Sequence, residues 1–67
     1  MMKNETIKNI LQEYNIESTL NIDSRICALV PLSNSGGAIL EQIEIPDHAI
    51  INKNTLIAWV SMQEAVA

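Results

Sequence analysis

The first part of the chain carries an apolar repeat with the period of an α-helix. Side chains spaced i, i+3, i+4 and i+7 fall on one stripe, and the residues between them are mostly polar. Asn4 is a suitable N-cap, and Asn15 can take the left-handed conformation that ends helices. The pattern predicts an amphipathic helix over about residues 4–16. Its apolar stripe consists of Ile7, Ile10, Leu11 and Tyr14.

The middle of the chain has the shorter period of β-strands. Alternating apolar and polar residues predict a short strand over 19–22, followed by a turn at Asp23-Ser24. Residues 26–30 are apolar at every position. We therefore expect a strand over 26–31 that is covered on both faces and ends at Pro31.

The segment 33–37, with its two glycines, is the strongest loop signal in the sequence. A further strand is predicted over 38–45, where Glu41 interrupts a face that otherwise consists of isoleucines. Residues 46–48, a Pro-Asp-His sequence, have the chemistry of a turn, and 49–51 is long enough only for a strand fragment.

The last apolar segment, residues 55–62, is compatible with two structures. A helix could begin after Asn54 and has favourable residue types, but its apolar side chains would point in nearly every direction. A strand divides the segment into two faces. These faces are Leu56, Ala58, Val60 and Met62 on one side, and Thr55, Ile57, Trp59 and Ser61 on the other. We favour the strand over 55–62, followed by a frayed or helical tail at 63–67.

These segments predict one small α+β domain over residues 1–67, in which an N-terminal amphipathic helix precedes a small, mostly antiparallel sheet of three to five short strands. One helix covers one face of such a sheet, yet 26–30 and 56–60 are apolar on both faces. Burial of a Leu or Ile side chain is worth roughly 1.5–3 kcal/mol. Several left exposed would cost about as much as the whole stability of a small domain, about 5 kcal/mol. We therefore expect a homodimer or higher oligomer, or docking on a larger protein; the alternative is a monomer whose loops and tail fold over the second face.

Composition narrows the function classes. Apolar residues make up 48% of the 67 residues, which argues against a disordered chain. The net charge of −4 argues against a nucleic-acid-binding protein. The apolar runs are far shorter than the roughly 20 residues that cross a bilayer. The N-terminus has no apolar stretch typical of a signal peptide, so we expect a cytoplasmic protein with no membrane partner.

The sequence offers little chemistry. Cys27 is the only cysteine, which excludes a disulfide within the chain, and together with His48 it is too little for a structural zinc site. An Asp47–His48 acid–base pair is conceivable, but both residues belong to the predicted turn. Cys27 lies in a strand that we expect to be buried, where a thiol behaves as a small hydrophobe. The 33–37 loop lacks the lysine of a phosphate-binding loop. We predict no catalytic, cofactor-binding or metal-binding residue, and no enzyme.

Several residues are candidates for an interface. The large aromatic side chain of Trp59 is either an interface anchor or a plug in the core. Glu41 is a charge on an apolar strand face, and Arg25 could pair with it within one chain or between two. The loop is a natural contact site because loop tips carry much of protein recognition. The candidate interface comprises Trp59, Ile57, Glu41, Arg25, Ser33, Asn34 and Ser35.

Two segments resemble known families. Residues 37–39 (Gly-Ala-Ile), 50–56 and 61–63 (Ser-Met-Gln) resemble the first half of a biotinyl/lipoyl carrier domain. Gln63 stands where that family has the lysine that bears the cofactor, so the resemblance does not imply attachment. Residues 45–56 resemble the β-clip segment of SAF-type domains, with His48 in place of a glycine.

The sequence thus predicts a small non-enzymatic interaction protein that self-associates or docks on a larger protein, with an inhibitor or accessory subunit as the role that suits its size and acidity. The alternative is a degenerate carrier-like or β-clip module that belongs to an enzyme system.

Overall fold

Two helices lie against one face of an antiparallel sheet. In this computed structural model the described residues are 1–31, 36–37 and 39–66, with side chains through Gln63. The helices and strands are α1 (Asn4–Glu13), β1 (Ser18–Leu20), β2 (Ile26–Pro31), β3 (Leu40–Glu44) and α2 (Lys53–Val66), with a 3₁₀ turn at Asp47–Ala49 before α2. The strands lie in the order β1-β2-β3, and both neighbouring pairs are antiparallel.

The α+β class and the antiparallel sheet are confirmed, but two predicted strands are wrong. Ala49 is the last residue of the 3₁₀ turn and residues 50–51 follow it, with Ala49 and Ile50 buried. Residues 55–62 lie in α2, and this helix extends through most of the predicted 63–67 tail. The described part of the sheet therefore has three strands, and a second helix follows them.

Helix α1 confirms the predicted helix, although it ends at Glu13 and not at residue 16. Asn15 has φ +60°, and the N–H of Ile16 donates to the carbonyl of Leu11 at 2.9 Å. This arrangement is a Schellman motif, in which the first residue beyond the left-handed one packs back on the helix. Ile16 is accordingly buried. At the other end the N-cap is Lys3 and not the expected Asn4.

Strand β2 is the centre of the sheet. Its alternate residues Ile26, Ala28 and Val30 belong to the core cluster that both helices cover. The side chains of Cys27 and Leu29 lie on the opposite face, where Cys27 is buried and Leu29 is half-buried. The predicted bounds of 26–31 are confirmed, but helices cover only one of the two faces.

Helix α2 forms because its first turn is well capped and one side of it is buried in the core. The Asn52 side-chain oxygen accepts the Thr55 N–H at 3.0 Å, and the Thr55 hydroxyl accepts the Asn52 N–H at 3.2 Å. This reciprocal pair satisfies two backbone donors in the manner of a capping box. Leu56 and Val60, one turn apart, are the buried residues of the segment that was predicted as a strand. The other apolar residues of the segment therefore do not indicate a strand that is buried on both faces.

The core lies between the helices and the sheet. Its side chains come from both helices, from β2 and from the segment that follows β3. Four large apolar side chains in it are almost completely buried: Ile7, Leu11, Ile45 and Leu56.

Candidate functional site

The β1–β2 connection exposes apolar side chains at the end of the sheet. We call residues 20–24 the hairpin tip. Ile22 is 99% exposed and Leu20 is 53% exposed. Strand β1 ends at Leu20, two residues before the predicted end at 22, so Ile22 lies in a turn and not on a half-buried strand. A fully exposed isoleucine in an ordered turn is the most unusual apolar position among the described residues.

Asn21 fixes the backbone of the hairpin tip. Its side-chain oxygen accepts the N–H of Asp23 at 2.9 Å and the N–H of Arg25 at 3.0 Å. The backbone carbonyl of Asn21 also accepts the N–H of Ser24 at 2.9 Å, and Ser24 has φ +62°. Asparagine commonly forms turns of this kind by bonding the backbone two residues further on. The turn predicted at residues 23–24 is confirmed, and Asn21 is the residue that forms it.

A group of polar side chains joins the tip to the C-terminal end of β3 and the 3₁₀ turn that follows it. We call Asn21, Arg25, Glu44 and Asp47 the polar clamp. The Asn21 amide donates to Glu44 at 2.8 Å, and the Arg25 guanidinium donates to Asp47 at 2.6 Å. Arg25 Nε also lies 3.4 Å from a Glu44 carboxylate oxygen. The hydrogen bond from Arg25 to Asp47, together with the two nearby carboxylates, raises the pKa of Arg25 above its usual value.

This geometry corrects the expected pairing of Arg25. Within the chain its partners are Glu44 and Asp47, whereas Glu41 stands opposite Val30 in the β2–β3 register and is exposed. Sequence reasoning missed Asn21 and Ile22, although a signal was available. Asparagine two residues before an Asp-Ser pair is typical of a side-chain-stabilised turn, which would have placed Ile22 inside it.

The other candidate interface residues lie in different places. Ile57 and Trp59 are half-buried on α2 and pack against the core. Ser33, Asn34 and Ser35 lie outside the described residues. The structure therefore does not bring the predicted set together at one surface.

Ile57 lines a cleft between the two helices. The cleft is small, with a volume of about 70 Å³, and its walls are mostly apolar. Tyr14, on its α1 side, is half exposed. Its lining residues are Ile10, Leu11, Tyr14, Ile16, Leu56, Ile57, Val60 and Ser61.

The residues considered for chemistry lie apart. His48 is exposed in the 3₁₀ turn. Cys27 is 2% exposed, and its sulfur lies 3.7 Å from the Gln42 amide nitrogen and 3.7 Å from the Arg25 carbonyl oxygen. Among the described residues, no group of three or more His, Cys, Asp or Glu side chains is placed to hold a metal ion. In the described part of the chain, no helix is long and apolar enough to cross a membrane.

Comparison of the chain with protein-family models, with curated proteins and with solved structures finds no match. The function must therefore be inferred from the hairpin tip and the surfaces around it.

Proposed function

We propose that this chain is a small non-enzymatic interaction protein of the cytoplasm that self-associates or docks on a larger protein as an accessory or inhibitory subunit. The hairpin tip is the surface that it offers to the larger partner. A single unpaired cysteine suits a reducing compartment, which supports the cytoplasmic setting.

The observation that carries the proposal is the full exposure of Ile22 in a turn whose backbone is hydrogen-bonded. Hydrogen bonds from Asn21 hold the turn, and the polar clamp holds Asn21 through Glu44. A surface that is ordered before binding loses little conformational entropy when it docks. Burial of an isoleucine side chain contributes roughly 1.5–3 kcal/mol. The tip thus has the properties of a preformed anchor.

The charges around the tip indicate the chemistry of the partner. Asp23, Glu44 and Asp47 are exposed carboxylates, and Arg25 is the cation of the polar clamp. The local charge is therefore −3 + 1 = −2, in keeping with the net charge of the chain. Complementary potentials guide association and disfavour wrong partners. We expect an apolar socket for Ile22 on the partner, rimmed by lysine and arginine.

Site-specific photocrosslinking tests this assignment. The photoreactive residue p-benzoylphenylalanine is placed at position 22 of the tagged full chain and, as a matched control, at the exposed Ile51. Both chains are irradiated in the cells that produce the protein. We expect one discrete adduct from position 22, heavier than two copies of the chain, and none from position 51. Excess untagged wild-type chain reduces this adduct, and excess Ile22→Asp chain does not.

The control outcomes separate the parts of the proposal. Equal adducts from positions 22 and 51, or none from either, would contradict docking by the tip. An adduct with the mass of two copies would show that the tip contacts another copy of the chain, which would overturn the assignment of the tip to a larger partner.

The carrier-like and β-clip alternatives have less support. Residues 61–63, which correspond to the cofactor-bearing position in the carrier resemblance, lie inside α2. The β-clip resemblance spans the 3₁₀ turn and the start of the same helix.

A further inference from the structure

We propose that β3, which has a neighbouring strand on one side only in the described part of the sheet, pairs through its other edge with the β3 edge of a second copy, antiparallel and about a two-fold axis at Gln42. The proposal rests on the proposed function and specifies its self-association. Strand β3 is at one side of the sheet, and its five residues make it the longer of the two edge strands, since β1 has three.

The hydrogen-bond pattern shows which backbone groups face outward. The N–H of Ile45 donates to the carbonyl of Ile26 at 3.1 Å. Because neighbouring residues of a strand direct their backbone groups to opposite sides, residues 41 and 43 also face β2. The N–H and C=O groups of Leu40, Gln42 and Glu44 therefore point away from the sheet.

The charges on β3 select one register for this pairing. With the axis at Gln42, Leu40 of one copy stands opposite Glu44 of the other, and Glu41 stands opposite Ile43. All outward backbone groups of β3 then pair with those of the second copy. With the axis at Glu44, two carboxylates would face each other directly, which is unfavourable. Leu40 and Gln42 are the uncharged outward residues, and only an axis at Gln42 also pairs all three outward residues within β3.

The position of α2 adds apolar surface to the same side. Residues of α1 and β1 together line one groove, so α1 lies on the β1 side of the sheet. The Ile57 flank of α2 faces α1 across the cleft. At 100° per residue, Trp59 lies about 160° around the helix from Ile57, and Met62 lies next to Trp59. The flank with Trp59 and Met62 faces away from α1, and since α1 occupies the β1 side, the proposed arrangement directs this flank toward β3.

A second copy paired along β3 therefore brings two such flanks together on the helix-covered face of a continuous sheet. Trp59 is half-buried and Met62 is 66% exposed in one copy, so both have solvent-exposed surface that a second copy would bury. The same half of the sheet carries exposed Leu40 and half-buried Ile43. An edge strand with unpaired backbone groups and adjacent apolar surface is a template for strand pairing.

Charge exchange at the axis tests the register. Gln42 is exposed, so Gln42→Glu and Gln42→Lys should leave the single copy folded. Each variant alone places two like charges at the axis, and we expect its dimer to weaken on the order of tenfold or more in analytical ultracentrifugation. An equimolar mixture of the two variants restores a dimer, which native mass spectrometry identifies as the mixed species. Failure of the mixture to restore it, or two variants that dimerise like the wild type, overturns the register.

Backbone methylation tests the edge itself. The chain is made by chemical ligation with an N-methyl group on the outward amide of Gln42 or, as the control, on that of Leu20 at the β1 edge. We expect the Gln42 form to be monomeric and the Leu20 form to dimerise like the unmodified chain. The reverse result, or an unmodified chain that is monomeric at millimolar concentration, overturns the proposal. A monomeric chain whose position 22 still crosslinks to a larger partner refutes β3 pairing alone, whereas a dimer without that adduct refutes docking by the tip alone.

Discussion

The helix-covered face of the sheet and the hairpin tip differ in which side chains hold the structure and which are exposed. Under the helices, apolar side chains such as Leu11 and Leu56 are almost completely buried and hold regular elements together. At the tip, polar side chains of Asn21 and the clamp fix a turn from which the apolar Ile22 projects into solvent. We expect stability and recognition to depend on separate sets of residues. Substitutions in the two regions should therefore have effects of different kinds.

Truncation in the core should have the largest effect on stability. Leu56→Ala leaves a cavity where α2 meets the core, and large-to-small changes at such sites cost about 2–5 kcal/mol. Chemical denaturation followed by circular dichroism measures the change in unfolding free energy. The control is Met62→Ala on the same helix, which is 66% exposed and should change the monomer's stability by less than about 0.5 kcal/mol. Equal effects at both positions would remove the contrast between core and surface.

Removal of the turn-forming side chain should have an intermediate effect. Asn21→Ala deletes the acceptor for two backbone N–H groups and the donor to Glu44. Since a typical hydrogen bond contributes about 0.5–1.5 kcal/mol, we expect the loss of the two bonds to backbone N–H groups to cost about 1–3 kcal/mol. Hydrogen exchange of the Arg25 amide should become faster.

Asn21→Asp is the matched variant for this test because it keeps the oxygen acceptor, while a carboxylate that repels Glu44 replaces the amide donor. We expect it to retain the slow exchange of the Arg25 amide. Fast exchange in Asn21→Asp together with slow exchange in Asn21→Ala would show that the side-chain oxygen does not hold the tip.

Loss of the α2 cap should have a smaller effect. Asn52→Ala removes the oxygen that accepts the Thr55 N–H, and loss of such a cap costs about 0.5–2 kcal/mol. Asn54→Ala is the control, because Asn54 is the cap that the sequence suggested and the helix already begins at Lys53. Thermal unfolding followed by circular dichroism distinguishes the two residues. A larger effect at position 54 would contradict the observed capping.

The two helices show what the sequence could and could not predict. Helix α1 has a clean stripe and was identified, together with the left-handed Asn15 that ends it. Helix α2 has apolar residues around most of its circumference, so its period carried no information about the buried side. Whether this segment forms a helix or a strand depends on the Asn52–Thr55 cap and on the shape of the core near Leu56. The shape of the core is a property of the tertiary structure.

The candidate site was predicted only in part. Arg25 was singled out, but its partners Glu44 and Asp47 depend on strand register and on the 3₁₀ turn, which the sequence pattern did not specify. Ile22 was assigned to a half-buried strand because the alternating pattern continues one step past the end of β1. A local bond from Asn21 overrode that pattern.

Substitution of the exposed isoleucine should have the smallest effect on stability and a large effect on docking. Ile22→Asp removes no packing contact, because Ile22 is 99% exposed. The unfolding free energy should therefore change by less than about 0.5 kcal/mol. Docking should lose the roughly 1.5–3 kcal/mol of a buried isoleucine, which corresponds to on the order of tenfold to a hundredfold in affinity. Isothermal calorimetry with the partner identified by crosslinking measures this loss, and denaturation measures the stability.

Ile51→Asp is the control for both measurements, because it makes the same change at another exposed isoleucine. We expect it to keep both the stability and the affinity of the wild type. An Ile22→Asp chain that is destabilised by more than about 1 kcal/mol would mean that Ile22 packs in the folded protein. The tip would then be part of the structure that holds the fold, and the separation between stability and recognition would not hold.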